Sequence, residues 1–173
     1  MKSGSMIADA AGVCMKYANR LLKDIPDDRF GRFSEPGGQQ ILANHPAFIF
    51  GHLCLYPSKV LELLGQDTSP TAVPENYESL FSKTATCEDD LSGEKYPTQN
   101  ELTETFRKTY AAAIVALRDA TDEQLAAPNP VDSPMKEICP TLGGLLNFYM
   151  TGHVATHLGQ LSTWRRMENM QPA

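Results

Sequence analysis

The sequence has no long hydrophobic run and no excess of basic residues. Lys and Arg account for 15 of its 173 residues and Asp and Glu for 21, which gives a formal net charge of −6 at pH 7. An acidic chain without a basic stripe offers no electrostatic footprint for nucleic acid or an anionic lipid surface. No apolar segment approaches the ~20 residues that a bilayer-spanning helix needs. We therefore expect neither a nucleic-acid partner nor a membrane partner.

Cysteine is sparse, and the cysteines do not form a motif. The chain has four, with no C-x-x-C pair, at positions Cys14, Cys54, Cys87 and Cys139. The first residues also lack the apolar core of a secretory signal peptide. Four scattered cysteines in such a chain indicate reduced thiols rather than a disulfide framework. The expected compartment is the cytoplasm.

Strand-like alternation of polar and apolar residues is also missing, whereas helical periodicity is strong. The pattern predicts one all-α domain over residues 1–173, a four-helix bundle whose long connections permit crossovers. A capping box at Thr98–Glu101 marks the start of the third helix, and Pro57 should kink or break the second. The predicted helices span residues 5–25, 44–65, 98–120 and 141–169.

Helix ends and connections follow from the punctuating residues. Asn44 and Thr141 are the expected N-caps of the second and fourth helices, and Gly65 is the expected glycine after the second. The stretch 66–99 is rich in Pro, Ser, Thr and Asp and contains only one short helical pattern, ENYESLF. So long a connection in a compact domain is usually functional, mobile or both.

Two of the four histidines, His153 and His157, lie four residues apart in the segment GHVATHLGQLSTWRR. Residues four apart share one face of a helix, so two imidazoles can converge on one ion. The glutamate of an H-E-x-x-H motif is absent, which argues against metalloprotease chemistry. Two core histidines bonded to carbonyls or carboxylates remain an equally acceptable interpretation of this spacing alone.

The helix face favours burial of the pair. Steps of three and four residues place His153 and His157 on the apolar side, together with Leu146, Tyr149, Met150, Gln160 and Trp164. Arg165, Arg166 and Glu168 are expected to lie toward solvent. Buried polar groups without partners cost ~1–3 kcal/mol each, and a shared metal ion would satisfy both imidazoles.

A third histidine, His52, lies within the apolar segment FIFGHLCLYP of the second helix. One ligand from the second helix and two from the fourth would give three nitrogen donors and leave coordination positions open. His45, beside Pro46 at the helix start, is better interpreted as a surface or N-terminal histidine. Cys54 points away from the face of His52 and is not expected to be a ligand.

The segments NHPAFIFGHLCLYPSKV and GHVATHLGQLSTWRR resemble the DinB-like superfamily, also described as YfiT-like metal-dependent hydrolases. Members are four-helix bundles with a histidine in the second helix and an H-x-x-x-H-x-G-Q pattern in the last. By this resemblance His52, His153 and His157 are the metal ligands, nickel or zinc is the metal, and the protein is a homodimer. The order and spacing of the motifs match over most of the chain.

Three further residues are candidates for the surroundings of the site. Gln160 could orient a metal-bound water or a ligand histidine, or simply bond a neighbouring helix. Tyr56 and Tyr149, each one turn from a histidine, could reach the pocket or be ordinary core aromatics.

Three functional hypotheses remain open from the sequence. A metal held by three neutral imidazoles activates water, polarises a carbonyl or holds a thiolate, which favours a metal-dependent enzyme acting on a small molecule. Resemblance implies a hydrolase or a thiol S-transferase using a low-molecular-weight thiol. The alternatives are a non-catalytic metal-binding or stress-associated module, and a helical interaction domain without metal.

Overall fold

A computed structural model describes residues 2–172, and this part of the chain is helical with no β-strand. Two isolated bridges, Ser34–Ile41 and Pro128–Thr141, are its only extended pairings among these residues. The α-helices are α1 (Ser3–Leu22), α2 (Pro46–Cys54), α3 (Tyr56–Leu63), α4 (Asn76–Phe81), α5 (Gln99–Asp119), α6 (Asp122–Ala126), α7 (Met135–Ile138), α8 (Leu142–Asn147) and α9 (His153–Met167).

The predicted four-helix bundle is formed by α1, α5 and two interrupted helices, α2–α3 and α8–α9. α1 packs against both α5 and α9, and α2 also packs against both. α1 therefore lies diagonally across the bundle from α2, and the chain must cross the bundle to connect them. This arrangement explains in part why the connections between bundle helices are long. Among the described residues, every helix is too short or too polar to span a bilayer.

The second bundle helix is divided into α2 and α3 at Leu55, two residues before Pro57. Proline lacks an N–H and its ring obstructs the preceding turn, so the predicted break is confirmed. The N-cap of α2 is His45 rather than the expected Asn44. The His45 side chain accepts a hydrogen bond from the Phe48 N–H. Gly65 follows α3 with φ +68°, as a glycine after a helix should.

The fourth bundle helix is not the uninterrupted α-helix that its sequence predicts. Thr141 caps α8 as expected, by accepting from the Gly144 N–H. Residues Phe148–Gly152 then form a π-helical turn before α9 begins at His153. Such turns add a residue to the helix and shift the face that following side chains present, and they are frequent at functional sites.

The long connection before α5 contains the expected short helix α4 and is then fastened by carboxylates. Asp90 accepts hydrogen bonds from four successive backbone N–H groups, those of residues 93–96. Asp89 accepts from the Arg32 guanidinium and the Phe33 N–H. The capping box at Thr98 and Glu101 is confirmed and begins α5. The Asp90 contacts hold a turn within the segment, and the Asp89 contacts join the segment to the loop between α1 and α2.

The expectation that Arg165 and Glu168 face solvent is wrong. Arg165 is buried, and its Nη1 donates to the Leu21 and Lys23 carbonyls at 2.8 and 2.6 Å. These carbonyls are among those left without helical partners where α1 ends, and a buried guanidinium can satisfy several at once. Glu168 pairs with Arg29 at 2.8 Å. Both residues join the end of α9 to the end of α1 and the segment that follows it.

Candidate metal centre

His52 on α2 and His153 and His157 on α9 meet at one point of the bundle. The Nε2 atom of His153 lies 3.2 Å from that of His52 and 3.1 Å from that of His157. Their candidate ligand atoms all lie within 4.8 Å of one another, and the described residues form no other such group of three histidine, cysteine or acidic side chains. The structure thus assembles a cluster from two distant parts of the sequence.

His52 is held by the backbone of α4. Its Nδ1–H donates to the Phe81 carbonyl at 2.7 Å, which leaves the Nε2 lone pair facing the other histidines. The close approach of the two helices depends on Gly51, because a Cβ atom there would lie 2.5 Å from the Phe81 ring. Gly51, directly before His52, is a sequence signal for this contact that lies outside the histidine motif.

His157 is oriented by a side-chain amide. Its Nδ1–H donates to Gln160 Oε1 at 2.9 Å, and the same oxygen accepts from Asn44 Nδ2 at 3.2 Å. Gln160 is largely exposed rather than inward-facing, yet it contacts a histidine of the cluster. Asn44, expected to cap α2, contributes to this chain of hydrogen bonds instead.

His153 directly follows the π-helical turn and lies between the other two histidines. The Tyr56 ring lies against it with centroids 4.1 Å apart, and Tyr149 packs on Tyr56 at 5.1 Å. The buried Nδ1 of His153 has no hydrogen-bond partner among the described residues. Its position is therefore set by ring packing and by the helix rather than by an acceptor at Nδ1.

Burial keeps the three imidazoles neutral. It lowers the pKa of His153 to about 3 and that of His157 to about 4, and it also lowers the pKa of His52. Neighbouring positive charge, including that of Lys59, lowers the pKa of His52 and His153 further. Neutral imidazoles keep their lone pairs, which is the form in which histidine binds metals.

Two of the three Nε2 separations fit one metal ion. Nitrogen ligands ~2.0–2.1 Å from a single ion lie roughly 2.8–3.4 Å apart at octahedral or tetrahedral angles, and two of the separations are 3.1 and 3.2 Å. With protons on Nδ1 of His52 and His157, two Nε2 lone pairs face His153 Nε2. A cation at this point would be bound by the Nε2 atoms of all three histidines. This donor set suits a divalent ion of intermediate softness.

A cleft opens beside the histidines in two lobes that share His52, Ser82 and Lys83. The larger lobe has a volume of about 460 Å³ and the smaller about 310 Å³. Aromatic and apolar side chains form much of the larger lobe, including Tyr56, Phe148, Tyr149, Val131, Pro134 and Met135. The two tyrosines considered from the sequence therefore both line the cleft.

The remaining histidine and the nearest cysteine lie outside the cluster. His45 is fully buried, so the expectation of a surface histidine is wrong, although its position at the helix start is as expected. Its Nε2–H donates to the Glu88 carbonyl at 2.9 Å. Cys54 is buried 3.9 Å from the Leu102 carbonyl, away from the histidines, and all four cysteines are free thiols.

Comparison with known families agrees with these observations. The family model described as the DinB superfamily matches residues 14–161, a range that includes all three clustered histidines. The chain belongs to the DinB superfamily. A search of curated proteins gave no significant match. Family membership and the three-histidine cluster together are compatible with binding of a divalent metal.

Proposed function

We propose that His52, His153 and His157 bind one divalent metal ion, Ni²⁺ or Zn²⁺, with at least one coordination position open to the cleft. The observation that carries this proposal is the convergence of three neutral imidazoles, with Nε2 separations of 3.1 and 3.2 Å. Two of them have their Nδ1 atoms committed to the Phe81 carbonyl and the Gln160 amide. Such partners fix the tautomer that binds metal.

We further propose that the protein is a metal-dependent enzyme acting on a small molecule, as a thiol S-transferase or a hydrolase. Held by neutral ligands, a divalent ion would supply Lewis acidity toward a thiol, a water or a carbonyl. The protein would contribute orientation: Phe81 and Gln160 hold the imidazoles, and the aromatic wall of the larger lobe covers the apolar part of a substrate. A low-molecular-weight thiol is the proposed co-substrate.

Elemental analysis of the purified protein tests the metal. We expect one equivalent per chain, and affinity for Ni²⁺ and Zn²⁺ well above that for Mn²⁺, because imidazole ligands and the Irving–Williams order favour the former. A protein that binds no divalent ion after incubation with each metal would refute the proposal. A structure with the bound ion would then give the number of open positions.

Turnover tests the enzymatic part. The metal-loaded protein is incubated with an electrophile and a panel of thiols, and separately with activated esters and amides. Thiol-dependent consumption of the electrophile indicates the transferase, and hydrolysis without thiol indicates the hydrolase. Metal binding without either reaction would leave a metal-binding module. Sedimentation at micromolar concentration independently tests the homodimer that the family resemblance implies.

A further inference from the structure

Two lysines from different parts of the chain, one on α3 and one directly after α4, line the cleft beside the histidines. Lys59 lies on α3 one turn beyond the helix break, with its Nζ 5.2 Å from the centre of the Tyr56 ring. Lys83 follows α4 and lines both lobes. Both side chains are exposed, and neither forms an ion pair with any described residue. Two unpaired cations thus lie at the mouth of the proposed site.

The cleft differs in charge from the rest of the chain. The whole sequence carries −6, but Glu78 is the only acidic residue among the described residues that line the two lobes. Two lysines and one glutamate give a local charge of +1 before any metal is considered. A positive cleft in an acidic protein raises the local concentration of anions and disfavours cationic ligands.

We propose that the substrate of this cleft is a small organic monocarboxylate, whose acidic group binds Lys59 and Lys83 and whose apolar body lies along Tyr56, Phe148 and Tyr149. The inference rests on the proposed function only in placing the reactive end of the molecule at the histidines.

Shape and charge favour a carboxylate over a phosphate. The larger lobe, at about 460 Å³, is in the usual range for small-molecule sites. Arginine is absent from the lining that the structure describes, and phosphate recognition commonly uses the arginine fork or a helix N-terminus. In the metal-free cleft, one carboxylate balances the local charge of +1.

A matched pair of probes tests the inference: 3-phenylpropanoate and its uncharged amide, 3-phenylpropanamide, which have nearly the same shape. Affinities are measured by ligand-detected NMR titration on metal-free and zinc-loaded protein. We expect the acid to bind roughly tenfold more tightly than the amide, as suits a charge-assisted contact. Lys59→Met and Lys83→Met should each weaken acid binding roughly fivefold and leave amide binding unchanged. Salt should weaken acid binding.

Lys16→Met is the control, because Lys16 is an exposed lysine of α1 outside the cleft. It removes the same charge and should leave both affinities unchanged. Equal binding of acid and amide, or equal effects of the three substitutions, would overturn the inference. Acid binding that needs zinc but not the lysines would also overturn it, while leaving the metal proposal intact. Lysine-dependent binding in a protein that takes up neither zinc nor nickel would support the carboxylate site and refute the metal centre.

Discussion

His45 and the three clustered histidines occupy similar apolar surroundings but differ in where their ring nitrogens point. Both nitrogens of His45 are used within the protein: Nδ1 accepts from the Phe48 N–H and Nε2–H donates to the Glu88 carbonyl. At the cluster, His52 and His157 use only Nδ1 in this way and direct Nε2 toward His153. His45 is more deeply buried than the clustered histidines, and neither of its ring nitrogens is free to bind a ligand.

The difference teaches that burial alone does not identify a functional histidine. A buried imidazole with two protein partners caps a helix and joins two segments, as His45 does between α2 and the connection before α5. A buried imidazole with one nitrogen hydrogen-bonded to the protein and the other free can bind a metal ion, particularly when the free nitrogens of other imidazoles face it. Substitutions at the two places should therefore affect different measurements.

The largest expected effect is on metal binding. His153→Ala and His157→Ala should each abolish stoichiometric binding of Zn²⁺, because each leaves only two imidazoles, on separate helices, and these make a much weaker site than three. Isothermal titration with Zn²⁺ measures the affinity. His45→Ala is the matched control and should retain one equivalent. If the double substitution His153→Ala/His157→Ala still binds one equivalent at unchanged affinity, the metal lies elsewhere.

The His45 substitution should instead lower folding stability. His45→Ala removes the N-cap of α2, leaves the Glu88 carbonyl without its donor and opens space beside Phe33 and Tyr96. We expect a loss of about 3 kcal/mol in the free energy of unfolding. Urea denaturation of the metal-free protein measures this loss. His45→Asn retains a cap acceptor and should cost less; an equal cost would show that packing, not capping, matters here.

The two places can also be separated by pH. Burial lowers the pKa of His45 to about 4, whereas an unfolded histidine titrates near 6.5. The unfolded chain therefore binds more protons between pH 6.5 and 4, and the stability from neutral His45 is complete above pH 6.5 and is lost as pH falls toward 4. The total change is about 3 kcal/mol at most.

The measurement is the unfolding free energy of the metal-free wild type minus that of His45→Asn across this pH range. We expect the difference to shrink as pH falls, because the variant has no imidazole at this position to protonate. The clustered histidines remain in both proteins, so their own titration largely cancels. A difference that stays constant from pH 7 to 4 would show that His45 is not held neutral by the fold.

Much of this organisation was predictable from the sequence because local signals determine it. The four bundle helices, the break at Pro57 and the capping box at Thr98 follow from periodicity, proline geometry and side-chain capping. The three histidines could be selected because each lies in an apolar helical segment and because the motif order resembles a family. Their meeting depends on which helices are neighbours, which no local pattern specifies.

The remaining features depend on contacts distant in sequence. The π-helical turn before His153 has no distinctive residue pattern, and the burial of Arg165 depends on the carbonyls that α1 leaves unpaired at its end. His45 looked like a surface residue because polarity near a helix start usually indicates exposure. The connection that covers it, at Glu88, lies 43 residues further along the chain.

The smallest expected effect is on metal affinity when the hydrogen bond to Gln160 that orients His157 is removed. Gln160→Ala removes the acceptor of the Nδ1–H and should lower Zn²⁺ affinity about tenfold, the lower end of the range for such partners. Gln160→Glu keeps an acceptor at this position and should retain or raise the affinity. Competition with a chelator of known affinity measures both. If Gln160→Ala binds Zn²⁺ as tightly as the wild type, then helix packing alone orients His157. In that case the hydrogen bond of 2.9 Å between His157 and Gln160 would have no part in tuning the metal site.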